Sequence, residues 1–174
     1  MRDLSIRWII LSTVVALVAA VSVYVALDDG GDAPTASLEL TPELGFVDFE
    51  DRQVLLSELR GTPVVINFFG SWCAPCLKEM PAFEAVHQDL GDEVTFIGLA
   101  VNDRPEDAQA TVAETGVTYR VGRDLDGALL EHFEGIKMPT TVILDADGTV
   151  VHREDGELDE DELRALLADV VGTG

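Results

Sequence analysis

The chain is 174 residues long and 47% apolar, and it carries 11 Lys and Arg against 33 Asp and Glu, a formal net charge of −22. That length holds one ordinary domain and an appendage, and the apolar share is enough to build a core, which excludes wholesale disorder. The acid surplus excludes nucleic acid as a partner, because phosphate contacts need the basic side chains that are scarce here, and it weakens contact with anionic lipid.

Trp8 to Leu27 is an uncharged run of 20 residues rich in Ile, Val, Leu and Ala. As a helix rising about 1.5 Å per residue it spans roughly 30 Å, the thickness of a hydrocarbon core. Arg2 and Arg7 precede it, and Asp28, Asp29 and Asp32 follow it. The positive-inside rule then predicts a cytoplasmic N-terminus over 1–7, a transmembrane anchor over 8–27 and everything later outside the cytoplasm. A cleaved signal peptide is the competing reading, and it exports the same domain. Residues 28–43, with Gly30-Gly31 and Pro34, form a linker. Residues 44–174 are the folded domain.

Within that domain Phe46–Phe49 and Gln53–Leu56 flank the polar Glu50-Asp51-Arg52, which predicts a β-hairpin. Val64–Phe69 is a continuous apolar run fit for a buried strand. Ala74 to Leu90 has helical spacing, with Cys76, Met80, Phe83 and Leu90 on related faces and Pro81 expected to kink it. Val94–Val101 is a second buried strand. Pro105–Glu114 is a helix opened by its proline and closed by Gly116, and Asp126–Phe133 is a short helix. Thr140–Leu144 and Val150–Arg153 bracket the turn Asp145-Ala146-Asp147-Gly148. Leu163, Leu166, Leu167, Val170 and Val171 form one apolar helical stripe behind an acidic first turn, Asp159–Glu162, that suits the helix dipole. This order predicts an α/β sheet with helices on both faces.

The only cysteines are Cys73 and Cys76. A disulfide-stapled scaffold would show more of them, a structural zinc site would need two further ligands, and haem attachment would need His where Leu77 stands. Ser71-Trp72-Cys73-Ala74-Pro75-Cys76 follows a buried strand and opens a helix. At a helix N-terminus the free N–H groups and the dipole stabilise a thiolate, so Cys73 is the expected nucleophile. Cys76 lies one turn on and can resolve a mixed disulfide. Two buried structural cysteines are the plain alternative, but they leave the strand–Trp–Cys-x-Pro-Cys–helix order unexplained.

Gly61-Thr62-Pro63 with the strand after it, Trp72–Cys76, Glu79-Met80-Pro81, Met138-Pro139-Thr140-Thr141 and Asp145–Gly148 together resemble the thioredoxin superfamily. Within it they are similar to the membrane-anchored TlpA/ResA-like branch. The resemblance implies a thioredoxin-like central mixed sheet with flanking helices and an N-terminal β-hairpin, preceded by one transmembrane helix. It implies dithiol reduction of exported disulfide-containing proteins, including those of cytochrome c maturation. A membrane thiol donor would supply electrons, and no cofactor or metal is needed beyond the redox-active Cys73–Cys76 pair. It places a cis peptide bond at Pro139, with Trp72, Met138 and Pro139 facing substrate, and it gives Glu79 the proton of Cys76. A surface role for Glu79 is the plain alternative. Asn67 stands where thioredoxin has a buried carboxylate, which leaves Glu79 as the acid candidate. His87, His132 and His152 are scattered over different elements and expected to be structural or exposed. Two other functions stay open. A thiol peroxidase usually carries Thr where this chain has Gly70. A copper-binding module could use the cysteines with His132 or His152, since cuprous ion favours thiolates.

Overall fold

The computed structural model describes residues 44–171. The N-terminus over 1–7, the anchor over 8–27 and the linker over 28–43 lie outside the described residues. Among the described residues no helix is long and apolar enough to cross a membrane.

The elements follow the chain as β1 (Gly45–Asp48), β2 (Gln53–Leu55), a 3-10 turn (Leu56–Leu59), β3 (Val64–Phe69), α1 (Ala74–Leu90), β4 (Thr95–Val101), α2 (Pro105–Thr115), β5 (Arg120–Asp124), α3 (Ala128–His132), β6 (Thr140–Leu144), β7 (Val150–Asp155) and α4 (Glu160–Val171). They build one seven-stranded sheet in the order β2-β1-β5-β4-β3-β6-β7. Strands β5, β4 and β3 run parallel, and the pairs on either side are antiparallel. This is the mixed sheet with an N-terminal hairpin that the sequence predicts.

Alternation along β3 sends its side chains into two cores. Val65 and Phe69 join Phe96, Val121 and Ile143 under Met80, Phe83 and Val86 of α1, Ala108 of α2 and Leu163 and Leu167 of α4. Val64, Ile66 and Phe68 join Ile97, Leu99 and Val142 under Leu56, Leu129 and Phe133. A strand with an apolar partner on each face has no solvated side, which is why its sequence is a continuous apolar run.

The local signals for the helices hold. Gly116 takes the left-handed conformation (φ 73°) and its N–H closes α2 on the Val112 carbonyl. Helix α1 runs unbroken through Pro81, which is exposed. At α4 the acidic run does more than suit the dipole. The Asp159 carboxylate accepts the Glu162 N–H and the Glu162 carboxylate accepts the Asp159 N–H, each at 2.9 Å. This reciprocal capping satisfies two otherwise unpaired donors.

One strand is missing from the sequence reading. Arg120-Val121-Gly122-Arg123-Asp124 has no apolar run, yet it is β5, with four of its five residues buried. Two of its charged side chains find partners outside the strand: Arg123 pairs with Asp51 of the first hairpin, and Asp124 accepts the N–H groups of Leu129 and Leu130 at the start of α3. Burial raises the Asp124 pKa against the pull of those helix N–H groups.

Gly122 lets β1 close on β5. A Cβ there would lie 2.3 Å from Cδ2 of the buried Phe46 ring and 2.9 Å from the Val47 carbonyl oxygen. Gly122→Ala is therefore expected to lower the urea midpoint by an amount equivalent to about 1–3 kcal/mol of overpacking. An unchanged midpoint would mean that the hairpin does not pack here.

Candidate active site

Strand β3 ends in the buried Phe68 and Phe69, and the chain then has four residues, Gly70–Cys73, in which to turn from the sheet into α1. The Cys73 N–H donates to the Gly70 carbonyl at 2.9 Å, closing that turn. Asp103, just beyond β4, accepts both the Ser71 N–H (2.6 Å) and the Ser71 hydroxyl (2.8 Å). Two parallel strands thus end at the same edge and their loops brace each other there. Trp72 folds back over Gly70 while staying 64% exposed. A Cβ on Gly70 would lie 2.7 Å from the indole.

Cys73 is the N-cap residue of α1, and its sulfur accepts the Cys76 N–H at 3.3 Å. Cys73 and Cys76 are joined in a disulfide, with their Cα atoms 5.3 Å apart. Cys76 is fully buried and Cys73 retains 5% exposure, so Cys73 is the outer residue of the pair. Pro75 sits in the first turn of α1, where its missing N–H has no intrahelical partner to lose.

Glu79 follows Cys76 by one turn on the same face and is only 1% exposed, so it is not a surface residue. One carboxylate oxygen accepts from Asn67 Nδ2 at 2.7 Å, and the other accepts the Leu158 N–H at 3.0 Å. Burial raises its pKa to about 7. The bonds from Leu158 and Asn67 oppose the rise, and the nearby Glu157 carboxylate adds to it. Lys78 pairs with Glu157 and so ties this loop to α1.

The Met138–Pro139 bond is cis. Pro139 is buried, and half-buried Met138 packs against the core cluster that contains both cysteines. The Gly156 N–H donates to the Pro139 carbonyl at 2.9 Å. Residues 156–158 therefore bond to the Pro139 turn at one end and to Glu79 at the other. Ile136, 81% exposed, stands two residues before Met138. It borders an open groove of about 520 Å³ whose lining includes Val101, Asn102, Gly127 and Leu130, beyond the ends of β4 and β5.

The structure thus gathers Cys73, Cys76 and Glu79 on one helix and packs Met138 against the cluster containing the cysteines. It adds Asn67, Asp103 and Leu158 as neighbours that sequence reasoning did not assign to the site. Only Asn67 left a signal, as a polar residue inside an apolar strand. The histidines lie elsewhere. His87 packs on Phe96 and Tyr119, with ring centroids 5.3 and 5.7 Å away. His132 packs on Phe133, and His152 faces Asp169 at 3.6 Å. Among the described residues no His, Asp or Glu joins the two cysteines in a metal-holding group.

The AhpC/TSA family model matches residues 30–153. The thiol:disulfide interchange protein HelX of Rhodobacter capsulatus is 34% identical over 134 residues, covering 76% of this chain and 70% of HelX. The thiol-disulfide oxidoreductase ResA of Bacillus subtilis is 28% identical over 136 residues, covering 78% and 72% respectively. The solved structure of MTB dsbF, in its mixed oxidised and reduced forms, superposes with a TM-score of 0.69 at 25% identity, over 74% of this chain and 96% of that one.

The buried carboxylate makes stability depend on pH in a stated direction. A folded pKa of about 7 against a reference value of 4.5 means that the folded state holds the Glu79 proton more tightly. The stability this contributes is complete below about pH 4.5 and is lost as pH rises to about 7, an effect on the order of 3 kcal/mol. In Glu79→Gln that component is absent, so urea midpoints across this window should fall less with rising pH than in the wild type. Parallel curves for the two proteins would show that Glu79 ionises as freely when folded as when unfolded.

Proposed function

The chain belongs to the AhpC/TSA family of thioredoxin-like proteins, and from that membership we propose a thiol–disulfide oxidoreductase that reduces exported disulfides. The observation that carries the reading is the Cys73–Cys76 disulfide at the N-terminus of α1, backed one turn later by a buried carboxylate with a pKa of about 7. Two relatives bear the matching names, thiol:disulfide interchange protein and thiol-disulfide oxidoreductase.

In the proposed cycle a membrane dithiol donor first reduces the pair, becoming oxidised itself. The Cys73 thiolate, stabilised by the helix N-terminus, attacks one sulfur of a partner disulfide. A mixed disulfide forms and the partner's other sulfur leaves as a thiolate that takes a proton from water. Cys76 then gives its proton to the Glu79 carboxylate and attacks the Cys73 sulfur. The partner leaves with both sulfurs reduced, and the Cys73–Cys76 disulfide is restored. A base with a pKa near the working pH is well matched to this step. Trp72, Met138 and Pro139 form the face the partner meets, the main chain of Met138 pairing with an extended segment of it. The uncharged run at 8–27, with Arg before it and Asp after it, supports a single-pass anchor and a catalytic domain outside the cytoplasm. Partners in cytochrome c maturation fit that placement.

Ala74-Pro75 between the cysteines, with no His there, favours reduction over oxidation. The peroxidase alternative asks for a threonine at position 70, where any Cβ would meet the Trp72 ring.

Mass mapping after alkylation of the reduced protein at mildly acidic pH should find Cys73 labelled first; preferential labelling of Cys76 would reverse the two roles. In steady-state reduction of a model disulfide, Glu79→Gln should be slower near neutral pH, with a shifted pH–rate profile and an unchanged fold. A profile identical to the wild type would remove Glu79 from the mechanism. The wild-type potential should lie nearer that of thioredoxin, about −270 mV, than that of DsbA, about −120 mV, and the opposite result would reverse the electron flow.

A further inference from the structure

Behind Glu79 the sheet carries a row of small and polar residues on the face that α1 covers. Asn67 of β3 stands beside Gly98 of β4 and opposite Thr141 of β6. The Tyr119 ring leans over Gly98, where a Cβ would lie 3.3 Å from its Cε2 atom. Asn67 and Thr141 are 1% exposed and Tyr119 is 5% exposed. Three oxygens in this row, Asn67 Oδ1, Thr141 Oγ1 and the Tyr119 hydroxyl, are buried without a hydrogen-bond partner. An unsatisfied buried polar atom costs about 1–3 kcal/mol, so three beside one buried carboxylate call for a common explanation.

We propose that Thr141 and Tyr119 are positioning residues for Glu79, acting through the side-chain amide of Asn67. The chemistry of the three groups is complementary. Asn67 Nδ2 donates to Glu79, which turns Oδ1 away from it, and Oδ1 can only accept. Hydroxyls can donate or accept, so Thr141 and Tyr119 can supply what Oδ1 needs. Opposed residues on neighbouring strands have Cβ atoms about 4.5–5.5 Å apart, which puts Thr141 within reach of Oδ1 directly or across one water.

A hydroxyl that donates to Oδ1 polarises the amide and strengthens the bond that Nδ2 gives to the Glu79 carboxylate, a bond that matters most when the carboxylate is charged. Removing a hydroxyl strands Oδ1, weakens that bond and so favours the protonated state. The titratable groups that face Glu79 are Tyr119 ahead of β5 and Glu157 after β7, the latter held by Lys78; those that face Tyr119 are Glu79, Glu84 and His87 of α1, with the oxidised cysteines not titrating. Burial raises the Tyr119 pKa, and the Glu79 and Glu84 carboxylates raise it further, so this hydroxyl stays protonated as a donor. The catalytic consequence rests on the role proposed above for Glu79.

The test is a ¹³C NMR titration of glutamate carboxyls in the full oxidised chain, with Glu79→Gln identifying the Glu79 signal. Thr141→Val and Tyr119→Phe should each move the Glu79 pKa up by about half to one pH unit, the equivalent of one lost net hydrogen bond. Thr141→Ser keeps the hydroxyl and should titrate as the wild type. A wild-type titration in both Thr141→Val and Tyr119→Phe would overturn the proposal, as would a Thr141→Ser shift equal to that of Thr141→Val, which would mean packing alone. The disulfide-reduction profile of Glu79→Gln separates the two readings. If it is altered while the titrations are not, the inference fails alone; if it is unaltered while the titrations shift, only the catalytic role of Glu79 fails.

Discussion

A strand buried on both faces must bring its chain back to the surface at its end, and β3 does so at Gly70–Cys73. Everything reactive in this protein is arranged around that exit. Because β3 is covered by helices on both sides, the turn after it cannot wander, and Asp103 holds it from the end of the neighbouring strand. The helix that follows begins at the disulfide, so its unpaired N–H groups point at the sulfur that has to carry negative charge. The same helix carries Glu79 one turn deeper, into the space between sheet and helix where water is excluded.

That depth determines what the carboxylate can do. On the surface Glu79 would ionise like any other glutamate and could hold no proton near neutral pH. Buried with two N–H donors, it is poised between its charged and neutral forms. One donor, Asn67, belongs to β3 itself, and the other, the Leu158 N–H, comes from the loop between β7 and α4. That loop also bonds to the Pro139 carbonyl. The proton-handling side of the site and its substrate-facing turn therefore share one short segment. Lys78 and Glu157 hold it from outside through an exposed ion pair, the kind that typically contributes less than about 1 kcal/mol.

The outer surface follows a different logic. Its ion pairs, such as Arg164 with Asp89 and Glu160, lie on exposed helix faces and contribute little to the fold. The large acid excess that remains keeps the domain soluble and gives it a negative field, which acts on the rate of encounter with charged partners rather than on architecture.

Local pattern alone determined much of this protein. The apolar run Val64–Phe69, the helical spacing of Ala74–Leu90, the stop at Gly116 and the stripe of the last helix each became the element expected, because each is set by neighbours within a few residues. The cysteine pair was legible for the same reason: strand, turn and helix start are consecutive in the chain. Strand β5 was not legible, since Arg120–Asp124 lacks an apolar run and is held as a strand by its pairing with β4 and β1, with Asp51 and the start of α3 meeting its charged side chains. Glu79 was half legible. The family resemblance singled it out as the acid beside Cys76, but taken by itself a glutamate on a helix is as easily a solvated surface residue. Its burial, its pKa and its two hydrogen bonds depend on Asn67, 12 residues earlier, and Leu158, 79 residues later. Desolvation is a property of everything packed around a group, and periodicity along one helix carries no record of it; only the assembled tertiary structure decided that this carboxylate would be buried beside the disulfide.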